Sequence, residues 1–237
     1  QRQMCIRDSF DSACEALELG SVDMAVVDMA QLIRMEKNDE NLPYGVVISG
    51  VLKRGDSRYV MIRKRHAKDL IENAVVATDS YSKTERIKHM YDGISCVVET
   101  DIRKCIEKLD ASECDAVFVL LEDIKAARLH NSFLYRYTIM DYGECVPVHG
   151  EGVYAMLTKG KKEAVRTARE LSHKSTAECF EIEDDIISRV MQNVYVKTCD
   201  VYARISSDRL EIYADVTGNR GRIRAVSYTH LTLPTIA

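Results

Sequence analysis

Between Ala74 and Leu129 the chain alternates strand and helix three times, and this rhythm limits what it can fold into. Ala-Val-Val-Ala-Thr-Asp-Ser runs into a charged segment, Ser-Cys-Val-Val-Glu-Thr-Asp into Ile102–Leu109, and Asp-Ala-Val-Phe-Val-Leu-Leu into a polar run ending at Leu129. Short, apolar, β-branched runs that each lead into a helix-capable run mark a buried parallel sheet with crossover helices. Ligands of such sheets bind in the crevice outside the carboxyl ends of the strands. Two of these ends carry small hydroxyl or acidic side chains, Thr78-Asp79-Ser80 and Glu99-Thr100-Asp101.

The flanking segments follow the same grammar. Cys14–Leu19 reads as a short helix stopped by Gly20, and Val22–Val27 as a buried strand leading into a helix or turn over Asp28–Met35. Val46–Leu52 and Tyr59–Arg63 read as two more strands. After Leu129 come a strand at Tyr135–Met140, a loop at Gly143–Gly152 and a returning strand at Val153–Leu157. Gly160–Leu171 is basic and helical, and Thr176–Asn193 keeps apolar residues at helical spacing. Lys197–Ile205, Leu210–Val216 and Arg222–Ala225 read as an antiparallel set. A chain that leaves one α/β domain, builds a second and returns makes a two-domain clamp. The expected division is residues 10–73 with 145–172 as an incomplete α/β domain, 74–144 as a second α/β domain, and 173–225 as a small α+β domain.

The ends, Gln1–Ser9 and Val226–Ala237, continue no neighbouring pattern. Both are similar to translated sequencing-adapter sequence and are read as non-native ends, which would leave the natural protein truncated at its N-terminus. The alternation in the tail leaves a genuine β-strand open as the other reading.

Composition narrows the function classes. With 46% hydrophobic and 30% charged residues the chain is an ordinary globular protein, and a net charge of −4 gives no electrostatic footprint for nucleic acid. No apolar run is long enough for a membrane span, and the first residues lack a signal-peptide pattern. The eight cysteines form no Cys-x-x-Cys pair, so free thiols in a reducing cytosol, without a metal, are expected. The partner expected is a small molecule, not a nucleic acid or a membrane.

Single residues carry competing readings. Asp28 follows a strand end and reads as a helix N-cap before it reads as a replacement carboxylate. Lys83 reads equally as a ligand lysine or a solvated one. His149-Gly150-Glu151-Gly152 reads as a tight turn before a ligand loop. Glu183 with Arg189 reads as helix surface charge.

Several motifs, in order, resemble the porphobilinogen deaminase (hydroxymethylbilane synthase) family over about Ala16–Arg222. Leu42-Pro43-Tyr44-Gly45 and Arg54-Gly55-Asp56-Ser57-Arg58 resemble its Leu-Pro-x-Gly and Arg-x-Asp-x-Arg patterns. Val76-Ala77-Thr78-Asp79-Ser80 resembles its Gly-Thr-Ser-Ser turn. Val146-Pro147-Val148-His149-Gly150-Glu151-Gly152 resembles its return loop, and Tyr202-Ala203 the first strand of its third domain. The resemblance implies two periplasmic-binding-protein-like α/β domains forming a cleft, plus a small C-terminal α+β domain. It implies a cytoplasmic transferase that joins porphobilinogen head to tail into hydroxymethylbilane, in tetrapyrrole biosynthesis, on a dipyrromethane cofactor linked to a cysteine.

The same resemblance locates departures. The family's His-Ser-x-Lys-Asp loop falls on Val27-Asp28-Met29-Ala30-Gln31, which puts Gln31 at the position of the catalytic aspartate. An amide carries no charge and is no base at neutral pH. The cofactor- and ligand-binding positions fall on Thr78, Ser80 and Lys83, and the cofactor cysteine falls on Tyr195, with Cys199 four residues beyond. The family's Arg-Gly-Asn segment falls on Glu99-Thr100-Asp101 and a further arginine on Cys105, which reverses charge toward an acidic ligand. Two readings stay open: a deaminase homologue with an impaired site, or a non-catalytic small-ligand-binding or regulatory homologue with the same clamp.

Overall fold

The computed structural model describes residues 4–6, 10–67 and 72–230. They divide into two compact units, one made of residues 1–55 and 149–237 and the other of 56–148.

The discontinuous unit contains β1 (Met4–Ile6), α1 (Phe10–Glu18), β2 (Met24–Asp28), α2 (Met29–Lys37) and β3 (Val46–Val51). The other unit holds β4 (Tyr59–Lys64), β5 (Val75–Thr78), α3 (Tyr81–Lys88), β6 (Ser95–Val98), α4 (Ile102–Asp110), β7 (Ala116–Leu120), α5 (Leu121–Ala126) and β8 (Tyr135–Ile139). The chain then returns to the first unit with β9 (Tyr154–Lys159), α6 (Lys162–Leu171), α7 (Lys174–Met191), β10 (Val196–Ser206), β11 (Arg209–Gly218) and β12 (Gly221–His230).

In the discontinuous unit one sheet has the order β1-β2-β9-β3. Its central strands are buried because Met24–Val27 and Ala155–Leu157 are apolar on both faces, which a strand covered on both sides requires. One face carries α1 and α2: Phe10, Ala13, Leu17, Met29 and Leu32 join Ala25, Val27, Ala155 and Leu157. The other face gathers Met24, Val26 and Met156 around Ala168 of α6. The three-stranded antiparallel sheet β10-β11-β12 belongs to this unit and is covered by α7.

In the contiguous unit the order is β6-β5-β7-β4-β8, with β6, β5 and β7 parallel and β4 antiparallel to both neighbours. The three predicted strand–helix repeats are β5–α3, β6–α4 and β7–α5. Each face has its own core, Val60, Ile62, Val117 and Ile106 on one side, Met61, Val76, Ile87 and Phe118 on the other.

The boundary falls at 55/56 and 148/149. Tyr59–Arg63, grouped by the sequence with the strand before it, therefore joins the second sheet. Tyr59, Val60, Met61 and Ile62 are at most 1% exposed, and a strand apolar on both faces needs a neighbour on each side; β4 finds them in β7 and β8. Both stretches read as non-native ends carry backbone pairing, Met4–Ile6 along β2 and Val226–His230 along β11. Residues 1–3, 7–9 and 231–237 lie outside the described residues.

Candidate functional site

The start of α2, where the sequence places Gln31, is closed by the carbonyl of Val153 and by Asp28. Asp28 has extended dihedrals and its carboxylate accepts from Ala30 N at 2.7 Å and Gln31 N at 3.3 Å, the geometry of an N-cap. Met29 N donates to Val153 O at 2.9 Å. The first three amides of the helix are thus satisfied by Val153 and the Asp28 cap, although a helix N-terminus is otherwise a ready anion site. Gly150, at φ +84°, lies against the same turn; a Cβ there would come within 2.6 Å of Ile33 Cδ1 and 3.0 Å of Ala30 N. The glycine serves close packing against α2. Gln31 is half-buried in that turn.

The carboxyl end of β5 holds the next group. Thr78 is fully buried, and its hydroxyl donates to Ser80 O at 3.1 Å and shares a 3.0 Å hydrogen bond with Thr84 Oγ1. Ser80 occupies the cap position of α3 and its Oγ lies 3.1 Å from Ser82 Oγ. Lys83, one turn into α3, is neither solvated nor open to a ligand. It is 4% exposed, donates to Asp79 Oδ2 at 2.7 Å, and lies 3.9 Å from Asp123 Oδ2 of α5. Asp79 Oδ1 is buried without a hydrogen-bond partner among the described residues.

Glu99 donates its amide to Thr78 O, and Asp101 caps α4 through Arg103 N at 2.9 Å. Cys105 Sγ donates to Glu99 O at 3.2 Å; burial, then the charges of Asp79 and Glu99, push its thiol up to about 12. This strand end is crowded with carboxylates around one committed lysine.

The cysteine positions lie on the C-terminal sheet. Tyr195, just beyond α7, is 59% exposed, with the Arg220 guanidinium 5.7 Å from its ring centre. Cys199, in β10, is 6% exposed, and burial, then Asp200 and Asp215, raise its thiol to about 11. So Gln31, Tyr195 and Cys199 belong to the discontinuous unit, while Thr78, Ser80 and Lys83 cluster in the contiguous one.

Sequence reasoning missed one buried network. Glu183 is fully buried and bound by Arg54 through Nη1 and Nη2 of the guanidinium, at 2.5 and 2.9 Å. It also accepts from Ala203 N at 2.7 Å, while Arg54 donates to Ala203 O at 3.2 Å and stacks 4.8 Å from the Tyr202 ring centre. Burial pushes Glu183 up, but the Arg54 hydrogen bonds prevail and hold it below the ordinary carboxylate value. Arg189 pairs instead with Asp185 at 2.8 Å. The signal was the spacing: Thr176, Cys179 and Glu183 form the buried stripe of α7. The second arginine of the Arg-x-Asp-x-Arg motif is committed too, because Arg58 binds Asp56 at 2.7 and 2.9 Å.

Among the described residues no group of three or more metal-ligating side chains assembles, and no helix is long and apolar enough to cross a membrane.

Two α/β sheets with polar strand ends, joined in one chain with an antiparallel α+β region, are the class that fold and site define. A sequence profile described as "Porphobilinogen deaminase, dipyromethane cofactor binding domain" matches residues 10–167. The chain belongs to the porphobilinogen deaminase family. It is 22% identical over 218 residues to porphobilinogen deaminase of Clostridium acetobutylicum, covering 86% of this chain and 74% of that one. It is 25% identical over 202 residues to the Chlorobium luteolum enzyme, covering 82% of this chain and 63% of that one. Among solved structures, the Bordetella pertussis BvgS VFT2 domain matches at a TM-score of 0.46 and 17% identity, over 77% of this chain and 74% of that one.

Proposed function

We propose that this chain is a porphobilinogen deaminase homologue of tetrapyrrole (heme, siroheme or cobalamin) biosynthesis whose capacity to polymerise porphobilinogen to hydroxymethylbilane is impaired. The observation that carries the reading is the start of α2. At the family's catalytic position stands an amide, Gln31, and the nearby carboxylate, Asp28, is engaged as the helix cap. The amide offers neither a charge to steady a cationic intermediate nor a base to take a pyrrole proton, and the Asp28 carboxylate is already engaged by two backbone amides.

The residues do not fit a thiol-linked dipyrromethane either. Tyr195 has no thiol. Cys199 does, but a buried thiol raised to about 11 stays protonated at neutral pH, and the thiolate is the nucleophile. Thr78 and Ser80 bond to each other's turn, and Lys83 is taken up by Asp79. No step is therefore routed through that cofactor. The thiols support a reducing, cytoplasmic setting as part of the same proposal.

The test incubates the purified chain with porphobilinogen and follows hydroxymethylbilane together with intact mass. Little or no product and no covalent mass increment on a cysteine are expected. Product formation at rates typical of enzymes, about 1 per second or faster, would sink the proposal.

The second reading, a non-catalytic ligand-binding or regulatory homologue, draws on the strand ends. With Lys83 neutralised and Glu99, Asp101 and Asp123 nearby, an uncharged or cationic ligand is favoured over a polycarboxylate. Calorimetric titration with neutral and anionic metabolites separates the two; preferential binding of anions would count against it.

A further inference from the structure

The discontinuous unit contains a groove that the deaminase reading does not use. It lies between α2, the loop after it, β3 and α7, with a volume of about 460 Å³, within the range of small-molecule sites. Its floor is apolar: Met29, Ile33, Ile48 and Phe180. Its rim is acidic: Glu36, Glu40 and Asp184, all exposed. A second cavity of about 240 Å³ shares Ile33, Glu36 and Asp184 with the first and has Lys37 as its lining cation. Gln31 lines neither.

His149 closes this second cavity. The residue is 5% exposed, its ring stacks on Phe180 at 4.8 Å, and Nε2 has no hydrogen-bond partner among the described residues. Nδ1 approaches Glu183 Oε2 at 3.5 Å and helps hold that carboxylate down, whereas Nε2 faces Asp184 Oδ1, a shared wall of the two cavities, at 3.8 Å, beyond hydrogen-bonding distance. Buried polar atoms are nearly always bonded, so an orphaned imidazole nitrogen beside a cavity points to a missing donor or acceptor.

We propose that this groove binds a small organic cation, an ammonium group on an apolar body. The body lies on Met29, Ile33, Ile48 and Phe180, where methionine adapts to irregular shapes and Phe180 offers a ring face. The ammonium sits among Glu36, Glu40 and Asp184, the last of which faces His149 Nε2 from the shared wall. An anion of the same body meets three carboxylates and is rejected.

The experiment uses the full chain with methyl-labelled methionine, titrated with phenylbutylamine, phenylbutyrate and phenylbutanol as charged, charge-reversed and neutral probes of one shape. Expected are saturable shifts of the Met29 and Met35 methyls with the amine, with Met140 and Met156 unmoved, and binding about tenfold weaker for the acid. Replacing the exposed rim, Glu36→Gln with Glu40→Gln and Asp184→Asn, is expected to weaken the amine about tenfold and leave the alcohol unchanged. The single change Glu40→Lys, on an exposed loop residue, is expected to act in the same direction and guards against misfolding of the triple variant. Equal affinity for amine and acid, equal affinity for amine and alcohol, or an amine affinity that ignores the rim changes would each overturn the proposal. The readout is a methyl shift, so it stands apart from the activity proposed above.

Discussion

Lys83 and Asp79 are one turn apart and buried together, at 5% and 15% side-chain exposure, so each is the other's main counter-charge. Removing one partner of a buried pair leaves the other desolvated and alone, which typically costs about 3–5 kcal/mol, while replacing both by apolar or neutral groups is often tolerated. Lys83→Met is therefore expected to lower stability by about 2–4 kcal/mol, and Lys83→Met with Asp79→Asn to recover most of it. Denaturant unfolding of the two singles and the double measures the coupling; additive losses would show that the pair is not a unit. Asp56 gives the pH dependence. Hydrogen bonds from Arg58, against the opposing push of burial, hold its carboxyl down at about 2 from 3.8. A depressed carboxylate contributes stability above its unfolded value that is lost as pH falls through the folded one. The pair is partly exposed, so the contribution after solvent screening is about 1 kcal/mol. Asp56→Asn is expected to be less stable than the parent by that amount at pH 7, with the gap closing between about pH 4 and pH 2.

At the scale of elements, the thiols report how closed the sheets and helices are. Cys199 in β10 and Cys105 in α4 are buried, and their thiols are raised to about 11 and about 12. Both are expected to react with a thiol reagent at neutral pH far more slowly than an unfolded cysteine, by about tenfold or more, and to become fully reactive in denaturant. Fast native labelling of Cys199, located by peptide mass, would reopen it as an attachment point. Elements of this kind were legible because their pattern is local. The β5–α3, β6–α4 and β7–α5 repeats follow from short apolar runs, and the cap of α2 from an Asp placed just before an apolar helix. What the sequence hid depends on distant partners. Lys83 read equally as a ligand lysine or a solvated one; Asp79 stood four residues away, but the burial of the pair and the approach of Asp123 to 3.9 Å come from the fold. Glu183 looked like surface charge, because Arg54 is brought to it by the path of β3. The candidate site was legible as positions, and its commitments were visible only once side chains met.

At the scale of the whole chain, the sequence conveyed two α/β sheets and grouped Tyr59–Arg63 with the strand before it, because an apolar strand such as β4 carries no mark of which sheet it will enter. The structure makes the consequence testable. Residues 56–148 are contiguous and hold all five strands of their sheet, with β4, β5 and β7 each paired on both sides within the segment. They also hold two apolar clusters, one on each face, whose described members all lie within the segment. Even the Tyr59 hydroxyl is satisfied locally, by Val148 N at 3.2 Å, and its ring meets Phe118 at 4.8 Å. A segment with a complete sheet and its own core on both faces meets the requirements of an independent folding unit. Residues 56–148 expressed alone are therefore expected to unfold cooperatively, in a single transition with a native near-ultraviolet signal from Tyr59 and its neighbours. The complementary segments, 1–55 with 149–237, are covalently separate once the insert is cut out, and they must be joined by a short linker before the same is asked of them. A fragment 56–148 that exposes its apolar clusters to a hydrophobic dye, with no cooperative transition, would mean that this sheet depends on the rest of the chain for its stability.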